Sequence, residues 1–301
     1  MSRAPRLPPV AAAAALAWAT ARLARARLSF GHGTDNPRDE AAQLLFHAAG
    51  WAHRQAPTAA RRRLAPAARA ALAQLVARRI RERIPAAYLT GVSWFAGHEI
   101  RVDRRVLVPR SPLAELIEQR FRPFVEPRRV LRILDIGTGS GCIAIACAHA
   151  FARARVDAGD ISADALAVAA LNVRRHRLTR RVRVVRADIY AGLGRHRYDI
   201  IVSNPPYVPR PVLARLPPEY RHEPAIGLAA GADGLAAVRA ILDGAAARLR
   251  PRGVLVVEVG DTAAAVERVW PQVPWLWLEF ERGGGGVFLV TREQLARYAP
   301  R

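Results

Sequence analysis

The stretch that decides the fold is Val130-Leu131-Arg132-Ile133-Leu134-Asp135-Ile136 with its continuation Gly137-Thr138-Gly139-Ser140-Gly141. An apolar run that ends in an acid and turns through three glycines into a helix is how an open parallel sheet begins, since glycine lets a ligand approach the backbone and meet the helix N-terminus. The spacing is Gly-x-Gly-x-Gly, not the Gly-x-Gly-x-x-Gly of dinucleotide binders, and Asp135 stands two residues before the first glycine. Alone, such a turn is weak evidence. The helix after it, to about Phe151, has no charged residue before Arg153 and is expected to be buried.

Downstream, strand-like and helical runs alternate, the pattern of a parallel sheet covered on both faces. A second strand ends at Asp160, with Ser162 capping the next helix, and a third, Val182 to Arg186, leads to Asp188. A fourth, Tyr198 to Val202, runs into Ser203-Asn204-Pro205-Pro206-Tyr207. Gly234 to Leu249 reads as a helix, Gly253 to Val259 as a fifth strand, and a short helix follows Asp261. Trp275 to Phe280 and Val287 to Val290 then flank Gly283 to Gly286 as a closing hairpin. The expected class is α/β with a Rossmann-like sheet over residues 111–301.

An acid at position 135 can take the ammonium of an amino-acid moiety while the helix end accepts its carboxylate. Asp160 is placed to accept both hydroxyls of a ribose, and Asp188 to hold the exocyclic amine of adenine. Each acid taken singly is equally a loop or cap residue. Their placement at successive strand ends describes S-adenosylmethionine, laid across the carboxyl ends of strands one to three.

Asn204 ends a buried strand and precedes two prolines, each of which fixes φ, removes an N–H and keeps the residue before it extended. The spot is rigid and offers acceptors. A planar NH2 group can give one N–H to the Asn204 side-chain oxygen and the other to the Pro205 carbonyl, with Tyr207 as a wall or as a π face near a cationic sulfonium. The rival reading of Asn-Pro-Pro is a strand end followed by a stiffened turn.

Upstream, residues 1–85 read as helices with short loops. The first is expected from about Val10 to Leu28; two early arginines and the alanine-rich start invite an export-signal reading, but the run holds one Leu and one Trp among its alanines and continues into Arg22, Arg25 and Arg27 on an amphipathic pattern, which makes that the poorer reading. Thr34-Asp35-Asn36-Pro37 gives a cap with proline at the first helical position, Asp39 and Glu40 sit in the first turn, and Gly50 ends that helix. A third carries Leu72, Leu75, Val76, Ile80 and Ile84 on one stripe. This part is expected to recognise a partner or to cap the main domain. Residues 86–110 are expected to form a β-hairpin linker, from Val92 to Phe95, Glu99 to Val102 and Val106 to Val108; Ser111-Pro112 then opens a helix to Phe121.

The 301 residues carry 47 basic and 25 acidic side chains, a net charge of +22, and every basic residue is arginine. Codon bias accounts for arginine over lysine but not for the shortage of acids, and so positive a surface attracts nucleic acid. Cys142 and Cys147 show no metal-binding spacing and are expected to be small buried residues; the eight histidines look scattered, so no metal site is expected. No apolar run approaches the length of a membrane span. A cytoplasmic location is expected.

Taken together, the chain resembles the protein-glutamine N(5)-methyltransferases. The resemblance rests on Gly31-His32-Gly33-Thr34-Asp35-Asn36-Pro37, Val108-Pro109-Arg110-Ser111-Pro112, Asn204-Pro205-Pro206-Tyr207 and Glu219-Tyr220-Arg221-His222-Glu223-Pro224. It implies a class I S-adenosylmethionine-dependent fold and methyl transfer to a glutamine side-chain nitrogen. Ser111-Pro112 favours the branch acting on ribosomal protein three of the large subunit, expected to be met beside ribosomal RNA, over the release-factor branch. It implies Asn204, Pro205, Pro206 and Tyr207 as the catalytic set. For the cofactor it implies Asp135, Gly137, Thr138, Gly139, Ser140, Gly141, Asp160, Ile161, Asp188, Ile189 and Arg110, together with Asn204. One departure is Gly283 to Gly286, where the related pattern has an acid before the last glycine; its distance in sequence suggests little bearing on the chemistry. An adenine-N6 nucleic-acid methyltransferase is the alternative, since the same clamp serves that amine.

Overall fold

The computed structural model describes residues 11–52 and 60–298. The chain divides into two compact units, Met1–Val92 with Pro217–His222, and Ser93–Leu216 with Glu223–Arg301.

The first unit packs α1 (Ala12–Arg25), α2 (Pro37–Ala49), α3 (Pro66–Glu82) and the short α4 (Ala86–Thr90). Ala12, Ala15, Ala19 and Leu23 form the buried face of α1, at the three-to-four-residue spacing of one helical side. Val10, the expected start, lies outside the described residues. In α2, Asn36 accepts from the Arg38 and Asp39 backbone N–H groups at 3.0 and 2.9 Å, and Gly50 ends the helix with φ 64°.

Three expectations change here. The apolar stripe of α3 keeps Leu72 and Val76 buried, yet Arg79 is buried beside them. Its guanidinium donates to Glu40, to Glu219 at 3.2 Å and to the Ser29 carbonyl at 2.8 Å, so Glu40 is an ion-pair partner and not merely a dipole-complementing acid. Ala86 to Thr90 is helical and stops at Gly91, φ 70°, so no β structure begins at residue 86.

β1 (Val92–Phe95) and β2 (His98–Arg101) form a two-stranded hairpin, and Val106 to Val108 adds no strand. α5 (Leu113–Glu118) stops short of Phe121 because Arg120 and Phe121 take positive φ. The alternating part comprises β3 (Arg132–Ile136), α6 (Cys142–Ala150), β4 (Arg155–Asp160), α7 (Ala163–Arg175), β5 (Val182–Arg186) and β6 (Tyr198–Ser203). A single turn, α8 (Arg210–Leu213), then precedes α9 (Ala236–Arg248), β7 (Leu249–Glu258), α10 (Ala263–Val269), β8 (Leu276–Leu278), β9 (Val287–Thr291) and α11 (Arg292–Tyr298). The sequence reading had neither α8 nor α11.

Seven strands lie in the order β5-β4-β3-β6-β7-β9-β8, with β9 antiparallel to both its neighbours and every other pair parallel. Ile133, Leu134, Ile200, Ile201, Val202, Leu255 and Val256 are wholly buried, as expected of strands covered on both faces. The expected Rossmann-like sheet is therefore present. Among the described residues no helix is long and apolar enough to cross a membrane.

Candidate active site

From β3 the chain winds outward through β4 to β5, then returns to place β6 on the other side of β3. The crevice at such a reversal, outside the carboxyl ends of the strands, is where open α/β sheets bind ligands. Register aligns Ile136 with Gly159 on one side and with Ser203 on the other, and Ser203 with Val257. The residues that follow these positions, Gly137, Asp160, Asn204 and Glu258, thus emerge at one edge. The Ser203 hydroxyl ties the two central strands there by donating to the Ile136 carbonyl at 2.8 Å.

The glycine turn is anchored by the Gly137 and Thr138 N–H groups, both donating to the Gly159 carbonyl at 2.9 Å. Its three glycines have φ 71°, 54° and 81°, a region closed to most side chains. A Cβ on Gly141 would lie 3.3 Å from Ala169, so that glycine serves the packing of α6 on α7. At Gly137 and Gly139 a Cβ would meet no protein atom closer than 4.0 Å, and for Gly137 that atom is the Asn204 carbonyl oxygen. These two leave open space beside Asn204. Ser140 turns inward, its carbonyl accepting from Asn172 at 2.9 Å.

Asp135 is fully buried. One oxygen accepts from the Thr138 hydroxyl at 2.5 Å and the Ala144 N–H at 3.1 Å; the other, Oδ1, has no partner. Burial pushes its carboxyl up to about 7, against the pull of those two donors and with the help of Asp160. Asp160 accepts from the Gly139 N–H at 2.8 Å and the Ser162 N–H at 2.9 Å, and burial raises its pKa as well. Ile161 beside it is 48% exposed. Asp188 is exposed on a bend where its backbone pairs with Ala191, and Ile189 takes φ 51°. In a chain with 47 arginines and lysines together, neither Asp135 nor Asp160 has a cationic partner among the described residues. An orphaned carboxylate oxygen and two empty Cβ positions fit a cationic ligand with a backbone-hugging tail.

Asn204 is half-buried and Pro205 buried. Glu258 organises them: it accepts from Tyr207 at 3.3 Å and from the Ser111 hydroxyl, and the Asn204 side chain is close enough to help lower its pKa. Burial pushes the Glu258 carboxyl up to about 6, while these donors and the charge of Arg110 pull it down. No described backbone donor reaches the Pro205 carbonyl. The Tyr207 ring packs on Gly260, where a Cβ would come within 2.7 Å of it.

Arg110 makes a two-pronged pair with Glu223, at 2.5 and 2.7 Å, and Glu223 also accepts from the Val108 N–H. Arg110 and Ser111 line a cleft of about 320 Å³ together with Pro112, Arg282 and Gly284. The loop Gly283 to Gly286 is therefore close to the site despite its distance in sequence; Gly286 also sits against Gly260 too tightly for any side chain. Ser111 is not the cap itself, because Pro112 occupies that position, although the Ser111 hydroxyl accepts from the Leu113 N–H at 3.2 Å. Glu258 and Gly260 were missed in the sequence, and Glu223 entered only as part of the motif Glu219 to Pro224 with no role of its own. Glu258 had a readable signal, an acid at the end of a strand, the same as that of Asp160.

Burial pushes the Cys142 thiol up to about 12 and the Cys147 thiol well above its ordinary value, so both are inert packing residues. The histidines are not all scattered: His98, His149 and His176 meet away from this edge.

Residues 121–212 match the family described as Methyltransferase small domain, and residues 14–91 match the PrmC N-terminal domain. A ribosomal protein uL3 glutamine methyltransferase of Bordetella pertussis is 45% identical over 92% of this chain and 94% of its own. The protein of the same name from Neisseria meningitidis serogroup A is 45% identical over 93% of this chain and 92% of its own.

Proposed function

The chain belongs to the family of ribosomal protein uL3 glutamine methyltransferases, and from that premise we propose that it transfers a methyl group from S-adenosylmethionine to the side-chain amide nitrogen of a glutamine in ribosomal protein uL3. When bound, the cofactor supplies an electrophilic methyl group on a sulfonium centre. We assign Asp135 Oδ1 to its ammonium, Asp160 to the ribose hydroxyls and Asp188 to the adenine amine. Ile161 and Ile189 border the base, and the Gly137 to Gly141 turn lets the tail reach the N-terminus of α6.

Asn204 and the Pro205 carbonyl each accept one N–H of the substrate amide. An amide nitrogen is a poor nucleophile because its lone pair is delocalised, so orientation carries the acceleration. Two fixed acceptors stop the amide turning and aim its π electrons at the methyl group. Leaving one buried N–H unpaired would cost about 1–3 kcal/mol, which sets the preference for the clamped pose. The alkylated nitrogen is acidic and loses its proton to water. Glu258, Ser111 and Tyr207 hold Asn204 in register, and Glu223 holds Arg110.

The observation that carries this reading is that Asn204 and Pro205 leave β6 beside the open space over the glycine turn, where a Cβ on Gly137 would meet nothing closer than the Asn204 carbonyl oxygen at 4.0 Å. The test offers labelled S-adenosylmethionine with uL3, a release factor and ribosomal RNA in separate tubes, and maps the label by mass spectrometry. Label on one glutamine of uL3 is expected. Label on the release factor would move the substrate, and label on adenine would overturn the reading.

The same reading places the enzyme in the cytoplasm, where it meets uL3 on assembling ribosomal RNA. A net charge of +22 supports that encounter. The rate on an assembly intermediate should fall with salt while that on free uL3 falls less; equal slopes would remove the RNA from the account.

A further inference from the structure

His98 opens β2, His149 lies in the last turn of α6 and His176 follows the end of α7. Their ligand nitrogens all lie within 4.8 Å of one another. His149 Nε2 and His176 Nδ1 are 3.3 Å apart. The ring of His98 stacks on that of His149 with centroids 4.3 Å apart, and stands edge-on to His176 at 5.8 Å.

We propose that His98, His149 and His176 form a binding site for a divalent cation of the zinc class, with the His98 ring turning off its stack on His149 to bring its in-plane lone pair to the ion. Metal–nitrogen bonds of about 2.0–2.1 Å in a tetrahedron place two ligand nitrogens about 3.3–3.4 Å apart, the separation His149 and His176 already have. His176 Nε2 lies 2.8 Å from the Glu99 carbonyl, an acceptor only, so that nitrogen carries the proton and Nδ1 presents its lone pair. A backbone carbonyl holding the far N–H is the usual support of a metal-binding imidazole.

The scaffold is firm. The buried Asn172 amide exchanges hydrogen bonds with both the N–H and the carbonyl of Arg101 at 2.9 Å, fastening β2 to α7. The two arginines nearby are engaged, Arg175 with Glu99 and Arg181 with the carbonyls of Ala148 and Phe151. His149 is exposed, leaving a fourth position to solvent. Imidazole sets of this kind suit zinc, copper and nickel over the harder magnesium and calcium.

The helices run back from the carboxyl edge of the sheet, so the ends of α6 and α7 lie at the opposite edge from Asn204. The cation would therefore clip the β1–β2 hairpin to α6 and α7 without touching the methyl-transfer chemistry. The test uses the full chain, free of any histidine tag and stripped by chelator, titrated with Co²⁺ and then displaced by Zn²⁺. Expected are a one-to-one tetrahedral-type visible band, its loss on adding Zn²⁺, and a Zn²⁺-dependent rise in Tm. His149→Gln and His176→Gln should each weaken Co²⁺ at least tenfold while keeping the circular dichroism and methyl transfer of the parent. Absence of a saturable band in the parent, or equal affinity in both folded variants, would overturn the proposal.

Discussion

In the helical unit Glu40 and Glu219 are buried against arginines: Arg79 bonds both, and Arg83 reaches Glu219 at 3.0 Å. At the carboxyl edge of the sheet Asp135 and Glu258 are buried and Asp160 partly so, yet among the described residues the hydrogen bonds they accept come from neutral hydroxyl and backbone donors. A buried charge is tolerated only when something compensates it. Where the compensation is inside the chain, the cluster is architecture. Where no cation of the chain is bonded to the acid, as at Asp135 and Asp160, the proposed function gives the missing cation to the ligand, since S-adenosylmethionine carries both an ammonium and a sulfonium.

The comparison breaks most visibly at Arg79. Arg79→Met strands Glu40 in an apolar setting, and removing one member of a buried pair costs about 3–5 kcal/mol. Chemical unfolding followed by circular dichroism should show that loss, and Glu40→Gln added to it should recover part. Cofactor affinity of the folded variant should stay within a few-fold of the parent; a large loss would mean that the first cluster also serves the ligand.

Asn204→Ala comes next. It removes one acceptor of the substrate amide, and deleting a single group that orients or stabilises the reacting centre costs about 10²–10³-fold in kcat. Calorimetry should find the cofactor bound within a few-fold of the parent affinity. Loss of cofactor binding together with the fold would assign Asn204 to structure.

Glu258→Gln is expected to lower kcat by about 10–100-fold, because the glutamine carbonyl keeps one acceptor while its NH2 faces the donors that the carboxylate took. The pH dependence separates positioning from packing. With its carboxyl near 6, Glu258 protonates as pH falls through 6, so parental kcat should decline there and the variant should lack that limb. An identical acid limb in both proteins would remove Glu258 from the positioning of Asn204.

How much of this was legible follows from which interactions are local. The succession of strands and helices, the glycine turn, and the positions of Asp135, Asp160 and Asn204 to Tyr207 at strand ends are written in contiguous residues, where alternation and motif spacing show them. Glu258 ends a strand as Asp160 does, but its meaning depends on Ser111, Tyr207 and Asn204, which approach it only in the folded sheet. Arg79 reads as the polar side of a helix until Glu40 and Glu219 reach it from far along the chain. The Gly283 to Gly286 loop fails the same way, since its neighbours are Pro112 and Gly260. His98, His149 and His176 come from three elements whose packing no spacing rule encodes.

The smallest effect tests the comparison most directly. In Asp135→Asn the side-chain oxygen can still accept from Thr138 and Ala144, and the NH2 takes the place of the unpartnered oxygen, so only the charge is removed. Burial holds the Asp135 carboxyl at about 7 in the free protein, above its ordinary value of 3.8. Stability linked to this group is therefore complete below pH 4 and is lost as pH rises through 7, and the free variant should melt higher than the parent at pH 8 but not at pH 4. Cofactor binding should show the opposite trend. A cationic ligand prefers the ionised acid, so parental affinity should rise up to pH 7 and level off above it, while the variant stays flat and binds about tenfold more weakly at pH 8, a difference of about 1.4 kcal/mol. Near pH 6 the two affinities should converge. Equal affinities at pH 8 would mean that the orphaned oxygen waits for no cation, and the contrast between the two acid clusters would then be one of packing alone.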